Sequence, residues 1–67
     1  MQPDSELVDE REARAILGNI SRATLWRHVR SGRLPQPLKI TPGRNHWRRS
    51  ELVAVVEAAA AAREVAA

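Results

Sequence analysis

The chain has 67 residues, no cysteine and a net charge of +3. That length holds one small domain with little core, and the lack of thiols excludes disulfide staples and thiolate metal sites. The charge is segregated: nine cations and no anion lie between residues 14 and 49, while Asp4, Glu6, Asp9, Glu10, Glu12, Glu51, Glu57 and Glu64 all fall outside that window.

A segment of one sign repels itself, so this one reads as a polyanion-binding face, with a solvated basic surface as the alternative. No run approaches the roughly 18–20 apolar residues of a membrane span. The start, Gln2-Pro3-Asp4-Ser5-Glu6, is polar and acidic and does not read as a signal peptide. The expectation is a cytoplasmic protein with no membrane or small-molecule partner.

Residues 1–6 read as a flexible leader. Leu7 and Val8 open the core as a short extended piece. Asp9 with Glu12 has capping-box spacing, and Val8 and Ala13 are placed to form the hydrophobic staple. A first helix is expected over about Glu10 to Leu17, with Ala13, Ile16 and Leu17 inward and Gly18 as its stop. Glu10 and Glu12 lie at the positive end of the helix dipole and read as cap and solvated face rather than as a catalytic pair.

Only Gly18-Asn19-Ile20 separates this helix from the next, a helix-turn-helix spacing. Ser21 is the expected cap of the second helix, residues 21–31, with Ile20 and Leu25 as its staple and Gly32 as its left-handed end. At about 100° per residue Leu25 and Val29 share the inward face. Ala23, Thr24, Arg27, Arg30 and Ser31 fall opposite. Small residues that allow close approach, interleaved with Arg that reaches guanine edges and phosphates, suit a helix that enters the major groove.

Pro35 and Pro37 make the next connection extended, with Leu34 tucked back into the core. Leu38-Lys39-Ile40-Thr41 alternates as a half-buried strand should. Pro42-Gly43 signals a turn, and Arg44 to Arg48 reads as a return strand with Trp47 inward and His46 and Arg48 outward. Residues 38–48 therefore predict a cationic β-hairpin, a wing. Ser50 is the expected cap of a last helix whose core face is Leu52, Val55, Val56 and Ala59. Residues 7–57 form the domain, and residues 58–67 an alanine-rich helical extension, solvated or packed on a partner. The predicted class is mainly α with a small β-hairpin, a winged helix-turn-helix.

The runs Ser21-Arg22-Ala23-Thr24-Leu25-Trp26-Arg27, Gly32-Arg33-Leu34-Pro35-Gln36-Pro37-Leu38-Lys39-Ile40 and Trp47-Arg48-Arg49-Ser50-Glu51-Leu52 resemble the AlpA-like phage regulators. These are relatives of phage excisionases in the MerR-like winged helix-turn-helix group, and the likeness spans roughly Leu7 to Glu57. It implies a sequence-specific binder of double-stranded DNA at the nucleoid of a bacterial or phage-infected cell. Such a protein either directs the excision carried out by a phage integrase or regulates transcription of a mobile element. It also implies self-association on adjacent sites. Trp26 stands where the family usually has Tyr, and His28 where it usually has an apolar residue.

Arg22 and Arg27 are the candidate major-groove readers, because an Arg fork bonds guanine O6 and N7 together. Thr24 either meets a base or phosphate or satisfies local backbone. Ser21 caps the helix with its backbone facing a phosphate. Arg30, Arg33 and Lys39 are assigned to phosphates, and Arg44, Asn45, His46 and Arg48 to wing contacts with backbone or minor groove. Arg49 either joins the wing contacts or pairs with Glu51 or another acid. Trp47 is read as core and Trp26 as a brace between the second helix and the wing, with stacking on a base or sugar as its alternative.

His28 and His46 have no Cys or nearby acid, so no metal site is expected. No nucleophile–base pair, paired carboxylates or phosphate-loop glycines are present, so no catalytic residue or cofactor is expected. A competing class is an antirepressor-like module binding an acidic protein through the basic face. RNA binding is disfavoured by the absence of aromatic platforms.

Overall fold

The structure, a computed structural model, describes residues 6–66 and the side chains of residues 6–63. The leader reading for residues 1–5 lies outside that range. In chain order the elements are β1 (Leu7–Asp9), α1 (Glu10–Ile16), α2 (Arg22–Arg30), β2 (His46–Arg48) and α3 (Arg49–Ala66). The chain is mainly helical with a small two-stranded antiparallel sheet, compatible with a winged helix-turn-helix layout.

Local signals place the first two helices. Asp9 is extended, and its Oδ1 accepts the Glu12 backbone N–H at 2.9 Å, so the last residue of β1 is also the cap of α1. Ser21 caps α2 by accepting the Thr24 N–H at 3.1 Å. Both helices end in Schellman closures. After α1, the Asn19 N–H reaches the Arg14 carbonyl at 2.8 Å and the Gly18 N–H reaches Ala15 at 3.2 Å. After α2, Arg33 bonds His28 at 2.9 Å and Gly32 bonds Val29 at 3.2 Å. Each closure needs a left-handed residue, and Gly18 (φ 94°) and Gly32 (φ 85°) supply it without a Cβ penalty. Arg14 fixes the turn further by donating Nε to the Ile20 carbonyl at 3.1 Å.

The core is Val8, Ala13, Leu25, Val29, Leu34, Trp47 and Leu52, with Ile16, Leu17, Ile20, Trp26 and Val55 packed around it. Val8 and Trp47 face each other across the β1–β2 ladder, on the sheet's inner face. Trp47 is fully buried, and its indole N–H donates to the Pro35 carbonyl at 2.9 Å. One large ring thus ties the sheet to the proline connection.

The wing departs from the expected hairpin. Residues 38–41 and 44–48 share a single bridge, in which Leu38 and His46 exchange backbone bonds of 2.6 and 3.1 Å. The remaining strand partner of β2 is β1, in the register Leu7–Arg48, Val8–Trp47, Asp9–His46. The turn explains this. The Arg44 N–H bonds the Thr41 carbonyl at 3.3 Å around Pro42-Gly43, and Gly43 has φ 79°. Pro then Gly with that φ is the type II arrangement, whose twist splays flanking strands instead of zipping them. Ile40, expected inward by alternation, is accordingly 60% exposed.

The last helix also differs in detail. It begins at Arg49, directly from β2, so Ser50 lies within the helix instead of capping it. The Arg49 backbone N–H bonds the Glu6 carbonyl at 2.8 Å, which brings Glu6 into the fold and out of the expected leader. Leu52 is buried and Val55 packs on the core, but Val56 and Ala59 are exposed. The first helix ends at Ile16, with Leu17 as its C-cap. No helix is long and apolar enough to cross a membrane among the described residues.

Candidate nucleic-acid interface

Burial of Leu25 and Val29 fixes how α2 is rotated. Arg27 and Arg30 are consequently exposed on the side away from the core. Three successive hydroxyl and guanidinium groups run along this helix one turn apart. The Ser21 Oγ–H donates to Thr24 Oγ1 at 2.9 Å, and Arg27 Nη2 donates to the same oxygen at 3.4 Å. The Thr24 hydroxyl thus meets two side chains of its own helix, Ser21 and Arg27, and not the backbone.

Arg22 projects differently. Its Nε lies 3.0 Å from Glu10 Oε2 of α1, with 74% of the Arg22 side chain still exposed. The other carboxylate oxygen of Glu10 accepts the Trp26 indole N–H at 3.3 Å. Trp26 in turn leans on Trp47, with ring centroids 5.7 Å apart and planes tilted by 52°. Trp26 therefore braces α2 against β2, as expected, and against α1 as well. An ion pair this exposed contributes no more than about 1 kcal/mol, so it orients Arg22 without locking it away.

A cleft of about 400 Å³ opens between the start of α1, the start of α2 and the wing loop. Arg22 flanks it on the helix side, and Gly43, Arg44, Asn45 and His46 on the loop side, with Asp9, Glu10 and Arg11 along its base. The structure thus brings the first arginine of α2 and the first arginine of the wing's return segment to one opening.

Two wing residues are placed against expectation. Asn45 and His46 are half-buried, and Asn45 Oδ1 and His46 Nδ1 are shielded from solvent without a protein hydrogen-bond partner. They line the cleft from within the fold instead of projecting as a cationic tip, because His46 is held from both sides, by Leu38 and by β1. Lys39, Arg44 and Arg48 are exposed as expected. Arg33 does not join the wing. It lines a separate, mostly apolar groove of about 540 Å³ with Leu17, Ile20, His28, Leu34 and Val55. Arg49 turns away from the basic face and pairs with Glu6 at 3.4 Å and Glu12 at 3.6 Å.

Sequence reading missed two participants. Glu10 is more than a first-turn acid, since Asp9 alone already serves as the cap. Arg11, which carries no motif in the sequence, stands at the cleft. Neither has a local spacing signal, because the neighbours of both come from distant parts of the chain. Among the described residues no group of three His, Cys, Asp or Glu side chains is arranged to hold a metal ion.

No family model, no curated protein and no solved structure matches this chain.

Proposed function

We propose that the chain is a sequence-specific double-stranded DNA-binding protein of the excisionase kind. It enters the major groove with α2 and touches the flanking backbone or minor groove with the loop 38–48. The observation that supports this reading is the shared cleft, which Arg22 at the start of α2 and Arg44 of the wing both line. Arg27 and Arg30 are exposed on α2, and Lys39 and Arg48 are exposed on the wing. Arg27 and Arg22 read guanine edges, while Arg30, Lys39 and Arg44 neutralise phosphates. Asn45 and His46 support the loop, and Arg33 lines the separate groove beside Leu17 and Val55.

On this reading the protein works in the cytoplasm on attachment-site DNA, beside a phage integrase and further copies of itself. An AlpA-type regulator of transcription is the same binding chemistry with another outcome. The test is selection of duplexes from a random-sequence pool by the purified chain, followed by binding measurements across salt. Enrichment of one sequence, with affinity falling steeply as salt rises, is expected. Failure to enrich any sequence overturns the proposal. A shift of an integrase from integration to excision on adding the chain separates the excisionase role from the regulatory one.

A further inference from the structure

We infer that Glu10 is a positioning residue for base recognition: it holds the Arg22 guanidinium by its Nε side so that the Nη edge faces the major groove. This rests on the DNA-binding reading above. Arg22 is the first residue of α2, and an unrestrained arginine there samples many rotamers. Glu10 removes part of that freedom before DNA arrives, and a pre-ordered fork loses less entropy on forming its paired bonds.

The carboxylate is itself held in place. It sits in the first turn of α1, where the helix dipole favours a negative charge. Its Oε1 accepts from the Trp26 indole at 3.3 Å, and its Oε2 faces Arg22 Nε at 3.0 Å. Trp26 is fixed in turn by its tilted contact with the fully buried Trp47. A chain of contacts therefore runs from the core through Trp26 and Glu10 to Arg22, each link on a helix or strand. The closest approach to the acid is through Nε, and 74% of the Arg22 side chain remains exposed. A guanine presents O6 and N7 as two acceptors side by side, which match the two outer nitrogens of such a fork.

A carboxylate that merely neutralised Arg22 would have the opposite effect on binding, and the two are separable. The duplex is the one the wild-type chain selects, compared with a random duplex of equal length. Glu10→Gln keeps one oxygen but cannot serve both Trp26 and Arg22 as an anion. It is expected to weaken the selected duplex about three- to tenfold, with random duplex unchanged or slightly tighter. Arg22→Ala is expected to cost the selected duplex about five- to 150-fold. In an Arg22→Gln background, Glu10→Gln is expected to have no effect on discrimination. Trp26→Phe, which frees the second carboxylate oxygen, is expected to show a partial loss of the same kind.

Thermal unfolding of each variant is followed in parallel, since a purely structural Glu10 would lower stability without moving the ratio of selected to random binding. Equal weakening on both duplexes, or tighter binding to both, overturns the inference while leaving DNA binding intact. A wild-type chain that selects no sequence overturns the reading on which it rests.

Discussion

Trp47 donates its indole N–H to the Pro35 carbonyl at 2.9 Å while lying fully buried between the sheet and the proline connection. Leu34, on the same connection, is buried in the same core cluster. Replacing Trp47 by Phe removes the donor, strands a carbonyl and leaves part of the ring's volume empty. A cost of about 2–4 kcal/mol is expected, from an unsatisfied acceptor plus a partial cavity. Urea unfolding followed by circular dichroism measures it. A domain with this little core has a small reserve, so Trp47→Ala is expected to leave the chain largely unfolded at 25 °C.

The left-handed stop after α1 gives a second test. Gly18 has φ 94°, and a Cβ added there would meet nothing within 4 Å. Any penalty is therefore conformational and not steric. Gly18→Ala is expected to cost about 1–2 kcal/mol, the price of a left-handed alanine. Gly18→Asn should cost less, because Asn tolerates this region, as neighbouring Asn19 already does at φ 61°. If the two variants unfold at the same urea concentration, the Schellman closure is not what holds the turn.

Ser21 combines two bonds, accepting the Thr24 N–H at 3.1 Å and donating to the Thr24 hydroxyl at 2.9 Å. Ser21→Ala is expected to lower stability by about 1 kcal/mol, and Ser21→Gly by only a few tenths. Asp9→Ala should behave like Ser21→Ala, since its Oδ1 caps α1 in the same way.

These caps and stops were legible in the sequence because each is settled within a few residues. Asp9 with Glu12, Gly18, Ser21 and Gly32 all occupy the positions their spacing predicts. The inward face of α2 was legible for the same reason. What the sequence did not reveal is non-local. His46–Arg48 alternates as a strand should, but nothing nearby says that its ladder partner is Leu7–Asp9. The alternation of Leu38 and Ile40 misled, because a turn whose twist splays the strands allowed one bridge and left Ile40 outside. Glu10 with Arg22, and Arg49 with Glu6 and Glu12, meet only after the helices and sheet have assembled. The candidate interface was therefore readable as a list of cations, while the acid that organises its first arginine was not.

Arg27 and Lys39 separate reading from anchoring. Arg27 stands on the outer side of α2 and is steadied by the Thr24 hydroxyl at 3.4 Å, whereas Lys39 is exposed on the wing loop. If Arg27 reaches a guanine edge, Arg27→Ala should relax the preference at one base pair and cost about 1–3 kcal/mol on the selected duplex alone. Thr24→Val should give a weaker version of the same loss, since it removes the acceptor that orients the guanidinium. Lys39→Ala should weaken selected and random duplexes equally and flatten the dependence of log K on log salt by about one unit. The measurement is fluorescence anisotropy across a salt series on both duplexes. Equal losses on both duplexes for Arg27→Ala would remove the groove-reading assignment from α2, and would leave its arginines as phosphate contacts like Lys39.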